Sequence, residues 1–181
     1  MLLQIFDPKG QSQKSIFVSV LKMKVLVCGG AGYIGTHTLV SLIESGFDVV
    51  VFDNLINSNA VAILRVEEIT KSKITFIIGD IRNSQDLEKV FVENSPFEAV
   101  IHFAGLKAVG ESVKYPVSYY DNNVVGTLRL LEVMAKHKCK SIIFSSSATV
   151  YGNPEKVPIP ESARISCTNP YGRTKAMIEV I

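Results

Sequence analysis

The sequence predicts an α/β fold in which a parallel sheet is covered by helices on both faces. Three observations lead to this prediction. Five short apolar runs of β type are separated by longer segments with helical spacing, and a glycine-rich turn directly follows the first run. Because crossovers between parallel strands are right-handed, these units build a doubly wound sheet of the Rossmann type.

The five apolar runs are short enough to be strands and continuous enough to be buried on both faces. They lie at residues 24–28, 48–52, 74–78, 99–103 and 141–145. Amphipathic spacing between them predicts helices at about residues 34–46, 59–71, 84–93 and 117–137. A further helix is expected to begin near Pro170. Gly46 is expected to end the first helix and Ser84 to cap the third.

Composition excludes several classes of protein. The chain has 181 residues, 47% of them apolar, which suits one cooperative domain. The 19 Lys and Arg against 17 Asp and Glu leave a net charge of +2, without the basic excess of nucleic-acid binding proteins. No apolar run approaches the roughly 20 residues of a membrane span. Three widely spaced cysteines fit neither a disulfide framework nor a zinc site, so no metal is predicted and the reducing cytoplasm is favoured.

The glycine-rich turn, GGAGYIG at residues 29–35, lies between the first strand and the first helix and satisfies G-x-G-x-x-G. Its glycines allow a tight turn and close approach to a pyrophosphate, which the free N–H groups of the helix N-terminus bind. Asp53 ends the second strand, where a carboxylate accepts hydrogen bonds from an adenosine ribose. Its charge repels a 2′-phosphate, which predicts NAD rather than NADP. The alternative is a structural glycine turn with a surface aspartate.

Two further strand ends are predicted to border the same crevice, because ligands of open parallel sheets bind at the carboxyl ends of the strands. Asp80 and Ile81 close the third strand, and Phe103 and Ala104 close the fourth. Asp80 is a candidate to meet an adenine amino group. The alternative is that its carboxylate caps a helix or a loop.

The last predicted helix carries Tyr171 and Lys175, which lie on one helix face because they are four residues apart. A neighbouring ammonium stabilises a phenolate, which lowers a tyrosine pKa from its usual value of about 10. Ser147 follows the fifth strand and is expected to face the same crevice. A serine hydroxyl and a tyrosine phenolate that meet on a substrate oxygen form a proton relay for carbinol oxidation.

Two polar or reactive residues within the strands receive structural interpretations. His102 lies in an apolar strand and is interpreted as a satisfied core histidine rather than a catalyst. Cys28 precedes the glycine turn and is expected to pack as a small hydrophobic residue.

The chain resembles the extended short-chain dehydrogenase/reductase family, and within it the epimerases of UDP-hexoses. The resemblance spans residues 24–181 and rests on four strings. They are DNL at 53–55, IHFAGLKAVGES at 101–112, FSSSATVYG at 144–152 and NPYGRTK at 169–175.

This resemblance implies inversion at C4 that interconverts UDP-glucose and UDP-galactose through a 4-keto sugar and bound NADH, a reaction of galactose metabolism. It assigns Tyr171 as the catalytic base, Ser147 as its partner, and Lys175 as the residue that tunes Tyr171 and holds the nicotinamide ribose. Together with Tyr171 and Lys175, the residues implied to contact NAD are Gly29, Gly32, Tyr33, Ile34, Gly35, Asp53, Asn54, Asn57, Ser58, Asp80, Ile81, Phe103, Ala104, Lys107 and Asn122.

Domain organisation follows from these elements. Residues 1–22 are interpreted as a poorly ordered N-terminal extension, with an edge strand at residues 16–21 as the alternative. Residues 23–181 are interpreted as an NAD-binding Rossmann domain. Because the sequence stops at Ile181 inside a predicted helix, we expect a C-terminally truncated fragment that lacks the family's substrate domain. The resemblance further implies that the whole protein is a homodimer, paired through the helix at 117–137 and the helix near Pro170.

Two departures from the family pattern and two alternatives complete the analysis. Cys28 stands where the family usually has threonine, which removes a hydroxyl from the glycine turn. The second departure is an expectation, that this chain lacks the family's C-terminal nucleotide-sugar domain. One alternative is a nucleotide-sugar dehydratase, although such enzymes carry an acidic residue just after the active hydroxyl and Ser147 is followed by Ala148 and Thr149. The other is a non-catalytic NAD-binding module.

Overall fold

The computed structural model describes residues 22–181 and contains a parallel sheet of five strands. Each strand lies within one residue of its predicted position at both ends. The spatial order β3-β2-β1-β4-β5 is that of a doubly wound sheet, so the predicted fold class is confirmed. The strands are β1 (Lys24–Cys28), β2 (Asp48–Asp53), β3 (Thr75–Ile78), β4 (Ala99–His102) and β5 (Ile142–Phe144).

Helices connect the strands and cover both faces of the sheet. Besides seven α-helices, the described chain contains a π-helical turn at Tyr120–Val125 and a 3-10 turn at Ala148–Tyr151. The helices are α1 (Tyr33–Glu44), α2 (Val61–Thr70), α3 (Ser84–Asn94), α4 (Val109–Lys114), α5 (Pro116–Tyr119), α6 (Gly126–Lys136) and α7 (Pro170–Glu179).

The predicted helix ends are confirmed for α1 and corrected for α3. Gly46 follows α1 with φ +88°, a left-handed conformation that suits glycine at a helix C-terminus. The prediction that Ser84 caps α3 is wrong, because Ser84 is already the first helical residue. Asn83 caps the helix instead, and its side-chain oxygen accepts a hydrogen bond from the backbone N–H of Gln85 at 2.9 Å.

The helix predicted at residues 117–137 is one helical stretch with an interruption. It begins at α5, widens into the π turn and continues as α6. The hydroxyl of Thr127 donates to the backbone oxygen of Asn123 at 2.6 Å, across the junction of the π turn and α6. π turns inside helices commonly occur at functional sites, and this one carries Asn122 into the cavity described below.

The hydrophobic core forms two layers, one on each face of the sheet. Alternate residues of β1 divide between them: Leu26 and Cys28 pack with Phe91 of α3 and Leu130 of α6. The other face packs α1 and α2 onto the sheet, and its buried members include Val25, Val27, Leu39, Val51 and Ile63. Cys28 is a core residue, as predicted, and its burial raises the pKa of its thiol well above the usual range.

The proposed N-terminal extension and the alternative strand at residues 16–21 lie outside the described residues, apart from Lys22. Across residues 22–181, no helix combines the length and the apolar character that a membrane crossing requires.

Candidate active site

A cavity of about 280 Å³ lies along the carboxyl ends of the strands. It brings together almost all the residues that the sequence singled out, although they come from every part of the described chain. The predicted site residues that line it are Gly29, Gly32, Tyr33, Ile34, Gly35, Asp53, Asn54, Asn57, Ser58, Ile81, Phe103, Ala104, Lys107, Asn122, Tyr171 and Lys175. Asp80 and Ser147 do not line it.

The glycine turn brings the backbone close to the end of β4 and to the start of α1. Gly29 has φ +78°, and a Cβ at this position would lie 2.5 Å from the backbone nitrogen of Ala104. A Cβ at Gly35 would lie 2.6 Å from the backbone oxygen of Gly29. Gly32 is the N-cap of α1 and offers no side-chain hydrogen bond, so the first N–H groups of the helix face the cavity without a capping side chain.

Asp53 joins the end of β2 to the glycine turn. One carboxylate oxygen accepts a hydrogen bond from the backbone N–H of Ala31 at 3.0 Å. The other accepts from the backbone N–H of Leu55 at 2.9 Å and from the Ser58 hydroxyl at 2.8 Å. Asp53 is buried, and these three donors hold its carboxylate at the floor of the cavity.

Asp80 is held by a neighbouring arginine at the rim of the site. Its carboxylate accepts hydrogen bonds from the Arg82 guanidinium, the shorter at 2.8 Å, and from the Asn54 amide at 3.0 Å. The guanidinium holds the pKa of Asp80 well below its usual range. Arg82 also donates to Asp121 of the π turn at 3.0 Å. The observed contacts of Asp80 are those of a loop carboxylate, and its contact with an adenine ring remains a prediction.

Tyr171 is fixed by the N-terminus of α7, where every first-turn N–H group has a partner. Pro170 has no N–H to satisfy, and Asn169 caps the helix by accepting from the N–H of Gly172 at 2.8 Å. The N–H of Tyr171 itself donates to the hydroxyl of Ser112 in α4 at 3.2 Å. The tyrosine that the sequence predicts as a base therefore stands on a firmly capped helix.

Lys175 lies one turn further along α7, with its ammonium inside the site. Its Nζ donates to the backbone oxygen of Ser145 at 2.8 Å and lies 6.0 Å from the centroid of the Tyr171 ring. A Cβ on Gly105 would lie 3.6 Å from this Nζ, so the loop after β4 also approaches the ammonium. Because Lys175 is only 5% exposed, desolvation lowers its pKa to about 8.

Ser147 caps the 3-10 turn that follows β5. Its oxygen accepts hydrogen bonds from the backbone N–H and the hydroxyl of Thr149, at 3.2 and 2.9 Å. A Cβ on Gly172 would lie 2.7 Å from the backbone oxygen of Thr149, so the turn rests on α7 beside Tyr171. The cavity is lined by Ser145 and Ser146 of the same serine run. The predicted meeting of Ser147 with Tyr171 on a substrate oxygen remains a prediction.

Asn123 is a structural residue of the site that the sequence analysis missed. Its amide uses all its hydrogen-bonding positions: the oxygen accepts from Leu106 and Asn122, and the nitrogen donates to Leu106 and Thr174. It therefore ties the loop after β4 to the π turn and to α7. The sequence signal that could have identified Asn123 is the pair of adjacent asparagines at 122 and 123 inside a helical pattern.

Tyr119 is a buried aromatic residue that supports the site from behind, without lining the cavity. Its hydroxyl donates to Glu111 at 2.6 Å and accepts from the backbone N–H of Ala108 at 3.0 Å. Its ring stands edge-on to Tyr171, with 6.5 Å between the centroids. Burial, and then the hydrogen bond to Glu111, raise the pKa of Tyr119 to about 12. Tyr119 supports Tyr171 and holds the loop before α4.

His102 is buried as predicted, but only one of its ring nitrogens is satisfied. Nε2 lies 2.9 Å from the Thr127 hydroxyl, whereas Nδ1 has no hydrogen-bond partner among residues 22–181. Burial, and then the charge of Lys175, lower the pKa of His102 to about 3. The imidazole is therefore neutral. In the same described range, no group of three or more His, Cys, Asp or Glu side chains is placed to hold a metal ion.

The fold and the cavity define a Rossmann-like α/β protein whose site lies at the carboxyl ends of the parallel strands. A family model described as GDP-mannose 4,6 dehydratase matches residues 26–181. The chain belongs to this family.

Individual relatives narrow the comparison to epimerases. The chain is 57% identical over 162 residues to a bifunctional UDP-glucose 4-epimerase and UDP-xylose 4-epimerase of Pisum sativum, which covers 87% of the chain and 46% of the relative. It is 57% identical over 159 residues to the UDP-glucose 4-epimerase of Bacillus subtilis (strain 168), covering 88% of the chain and 47% of the relative.

A solved structure agrees with these relatives. The UDP-glucose 4-epimerase of Bifidobacterium longum, in complex with NAD+ and UDP, superposes with a TM-score of 0.85 at 53% identity and covers 87% of the chain. The match includes 47% of that structure's own chain. The resemblance predicted from the four sequence strings is confirmed, and the chain spans about half the length of the curated relatives it matches.

Proposed function

We propose that this chain is the cofactor-binding half of an NAD-dependent UDP-glucose 4-epimerase, which interconverts UDP-glucose and UDP-galactose in galactose metabolism. One observation carries the proposal. The glycine turn, the Asp53 carboxylate and the Tyr171–Lys175 pair line a single cavity at the carboxyl ends of the strands. The first two suit a dinucleotide, and the third suits proton transfer to and from a carbinol.

The residues present fit NAD. A side chain at Gly29 would collide with the backbone after β4, and one at Gly35 with the backbone of the turn itself, so these glycines keep the turn tight. The first N–H groups of α1 face the cavity without a capping side chain, where they can bind a pyrophosphate. Asp53 is positioned to accept hydrogen bonds from an adenosine ribose and to repel a 2′-phosphate, which favours NAD over NADP. The Bifidobacterium longum epimerase, whose structure is a complex with NAD+ and UDP, supports this assignment.

In the proposed mechanism, Tyr171 removes the proton from the C4 hydroxyl of the sugar and later returns it, with the Ser147 hydroxyl sharing the same oxygen. Bound NAD supplies the hydride acceptor and, after the sugar turns over, the donor. The Lys175 ammonium lies 6.0 Å from the centroid of the Tyr171 ring, within the site, where it can hold a ribose hydroxyl. Inversion requires that the 4-keto sugar expose its other face before hydride returns.

A nucleotide-sugar dehydratase is the second candidate, because the family model that matches the chain has that description. Dehydration needs a further acid near the reacting sugar carbons. The positions after Ser147 hold Ala148 and Thr149 instead, and the Thr149 hydroxyl is engaged with Ser147. The relatives at 57% identity are epimerases as well, which favours the first candidate.

Assembly and compartment are part of the proposal. Exposed apolar side chains on the α5–α6 stretch and α7 support pairing of two whole proteins through these helices; they include Val117, Val125, Leu128 and Met177. All three cysteines are free thiols, and two of them are buried, which supports a reducing compartment such as the cytoplasm.

Calorimetry tests the cofactor half of the proposal on the 181-residue chain itself. We expect NAD to bind and NADP to bind at least about tenfold more weakly, because the 2′-phosphate meets the Asp53 carboxylate. Equal binding of both dinucleotides would contradict the assignment, and absence of binding would reject it. We expect negligible turnover of UDP-galactose by this chain alone.

A chimera tests the catalytic half. Residues 24–181 would replace the matching half of the Bacillus subtilis relative, and C4 epimerisation of UDP-galactose would be followed. We expect activity from the chimera and a loss of at least about 100-fold with Tyr171→Phe, the range for removal of an acid–base group. Activity that survives this substitution would remove Tyr171 from the proposed role. Formation of a 4-keto-6-deoxy sugar would favour the dehydratase.

A further inference from the structure

Lys175 is a buried cation that lacks a carboxylate partner. It is 5% exposed, and no ion pair to Asp or Glu includes it within residues 22–181. Its only hydrogen-bond acceptor in that range is the backbone oxygen of Ser145. A buried ammonium needs further stabilisation to remain charged, because desolvation favours the neutral amine.

The Phe144 ring supplies a face for this ammonium. Lys175 Nζ lies 4.6 Å from the ring centroid, within the distance at which a cation is attracted by the negative face of an aromatic ring. It is farther from the Tyr171 ring, at 6.0 Å. Phe144 is the last residue of β5, and the next residue, Ser145, provides the carbonyl. Consecutive residues of one strand end therefore contact the ammonium.

His102 completes this arrangement from the neighbouring strand. Its position on β4 is in register with Phe144 on β5, and the two rings have centroids 5.7 Å apart. The Thr127 hydroxyl donates its hydrogen to Asn123, so His102 must donate from Nε2 to the Thr127 oxygen. Nδ1 then carries no proton, and the imidazole is the neutral Nε2–H tautomer.

We propose that Phe144 is a positioning residue, whose aromatic face keeps the Lys175 ammonium charged and held beside Tyr171, with a neutral His102 behind it. A cationic imidazole next to Phe144 would repel the ammonium. Burial of His102 without a charged partner keeps the imidazole neutral and so also favours the charged form of Lys175. Among residues 22–181, the titratable groups that interact with the ammonium are Tyr171, whose ring centroid lies 6.0 Å away, and His102, whose pKa is lowered by burial and then by the charge of Lys175. The role of this arrangement in catalysis rests on the proposed function, whereas the contacts among Lys175, Phe144 and His102 are observed independently of it.

The proposal is tested by changing the electrostatics of the ring with little change in its shape. Pentafluorophenylalanine placed at residue 144 reverses the charge distribution of the ring face and keeps the ring planar and apolar, with fluorine atoms only slightly larger than the hydrogens they replace. 4-Fluorophenylalanine weakens the negative potential of the ring face only in part. Titration of the lysine Cε resonance by carbon-13 NMR, assigned with Lys175→Met, reports the pKa of Lys175. We expect a decrease of about one unit with the pentafluoro ring and a smaller decrease with the monofluoro ring.

A matched control is pentafluorophenylalanine at Phe91, a buried core ring that packs against Phe97 and His137. We expect this control to leave the Lys175 titration unchanged. Equal pKa values of Lys175 in the folded chain with ordinary phenylalanine at residue 144 and in the folded fluorinated variants would overturn the proposal. NAD binding is measured by calorimetry on the same samples and distinguishes the two proposals. If the Lys175 pKa shifts as expected but the chain does not bind NAD, the role of Phe144 is supported and the proposed function is rejected.

Discussion

The Asp53 carboxylate accepts a hydrogen bond from the backbone N–H of Ala31 at 3.0 Å, which joins the end of β2 to the middle of the glycine turn. The residue that is proposed to recognise the ribose therefore also holds the turn that is proposed to bind the phosphates. Because the same carboxylate also accepts from the backbone N–H of Leu55 and from the Ser58 hydroxyl, it ties the loop after β2 to the glycine turn. Asp53 therefore stabilises the turn by observed hydrogen bonds and is the same residue that is proposed to recognise the cofactor.

Asp53→Asn is expected to lower both stability and NAD affinity. The asparagine amide replaces one of the two acceptor oxygens by an NH2 group. In either orientation this NH2 group faces a backbone N–H that the carboxylate satisfies in the unsubstituted chain, that of Ala31 or that of Leu55. The expected loss is about 1–3 kcal/mol in the free energy of unfolding, measured by urea denaturation, and about tenfold in NAD affinity by calorimetry. The control is Asp48→Asn at the start of the same strand, where the 3.8 Å pair with Lys24 is partly exposed. A change there of less than about 0.5 kcal/mol is expected.

Gly35→Ala is expected to destabilise the chain by about 2–3 kcal/mol, because the added methyl overpacks a rigid backbone contact. Its Cβ would lie 2.6 Å from the oxygen of Gly29 and 2.7 Å from the Cα of Gly30. Gly110→Ala in α4 is the matched control, since nothing lies within 4 Å of its Cβ. The control is expected to be neutral or to stabilise by about 0.5–1 kcal/mol, the helix preference for alanine. Equal thermal stability of both variants would contradict the packing argument.

The sheet was predictable because its strands are buried on both faces. Continuous apolar runs such as residues 24–28 and 99–103 are typical of strands in a parallel sheet that is covered on both faces. The glycine turn after residues 24–28 indicates that this strand carries the phosphate-binding turn. The Tyr171–Lys175 pair was predictable for a similar reason, since four-residue spacing on a helix places both side chains on one face.

The contacts inside the site were less predictable because they depend on tertiary geometry. The sequence does not show that Asp80 is held by Arg82, or that the Ser147 oxygen accepts from Thr149. The π turn was missed because the apolar pattern of residues 117–137 stays close to helical spacing throughout. Phe144 was counted only as part of a strand, since its role depends on where α7 places Lys175.

Asn123→Asp is expected to destabilise the chain by about 2–4 kcal/mol. The substitution removes the donor to Leu106 and Thr174 and buries a carboxylate in its place. Urea denaturation at neutral pH measures the loss. Asn59→Asp is the matched control, because Asn59 is exposed. Its side-chain oxygen accepts a hydrogen bond from the N–H of Val61, which a carboxylate oxygen can accept equally well. A control that loses as much stability as the variant would show that the network around Asn123 has no special weight.

Lys175→Met is expected to change the pH dependence of stability. Burial lowers the folded-state pKa of Lys175 from 10.5 to about 8, so between these values the unfolded chain binds more protons than the folded chain. Stability contributed by this residue therefore rises with pH across that window, by roughly 3 kcal/mol in all. The quantity to measure is the free energy of unfolding of the unsubstituted chain minus that of the variant, from urea denaturation between pH 7.5 and 10.5. Cys28 and Tyr119, whose raised pKa values reduce stability at high pH, act in both proteins and cancel. A difference that stays flat across the window would show that the Lys175 ammonium is not desolvated in the folded chain.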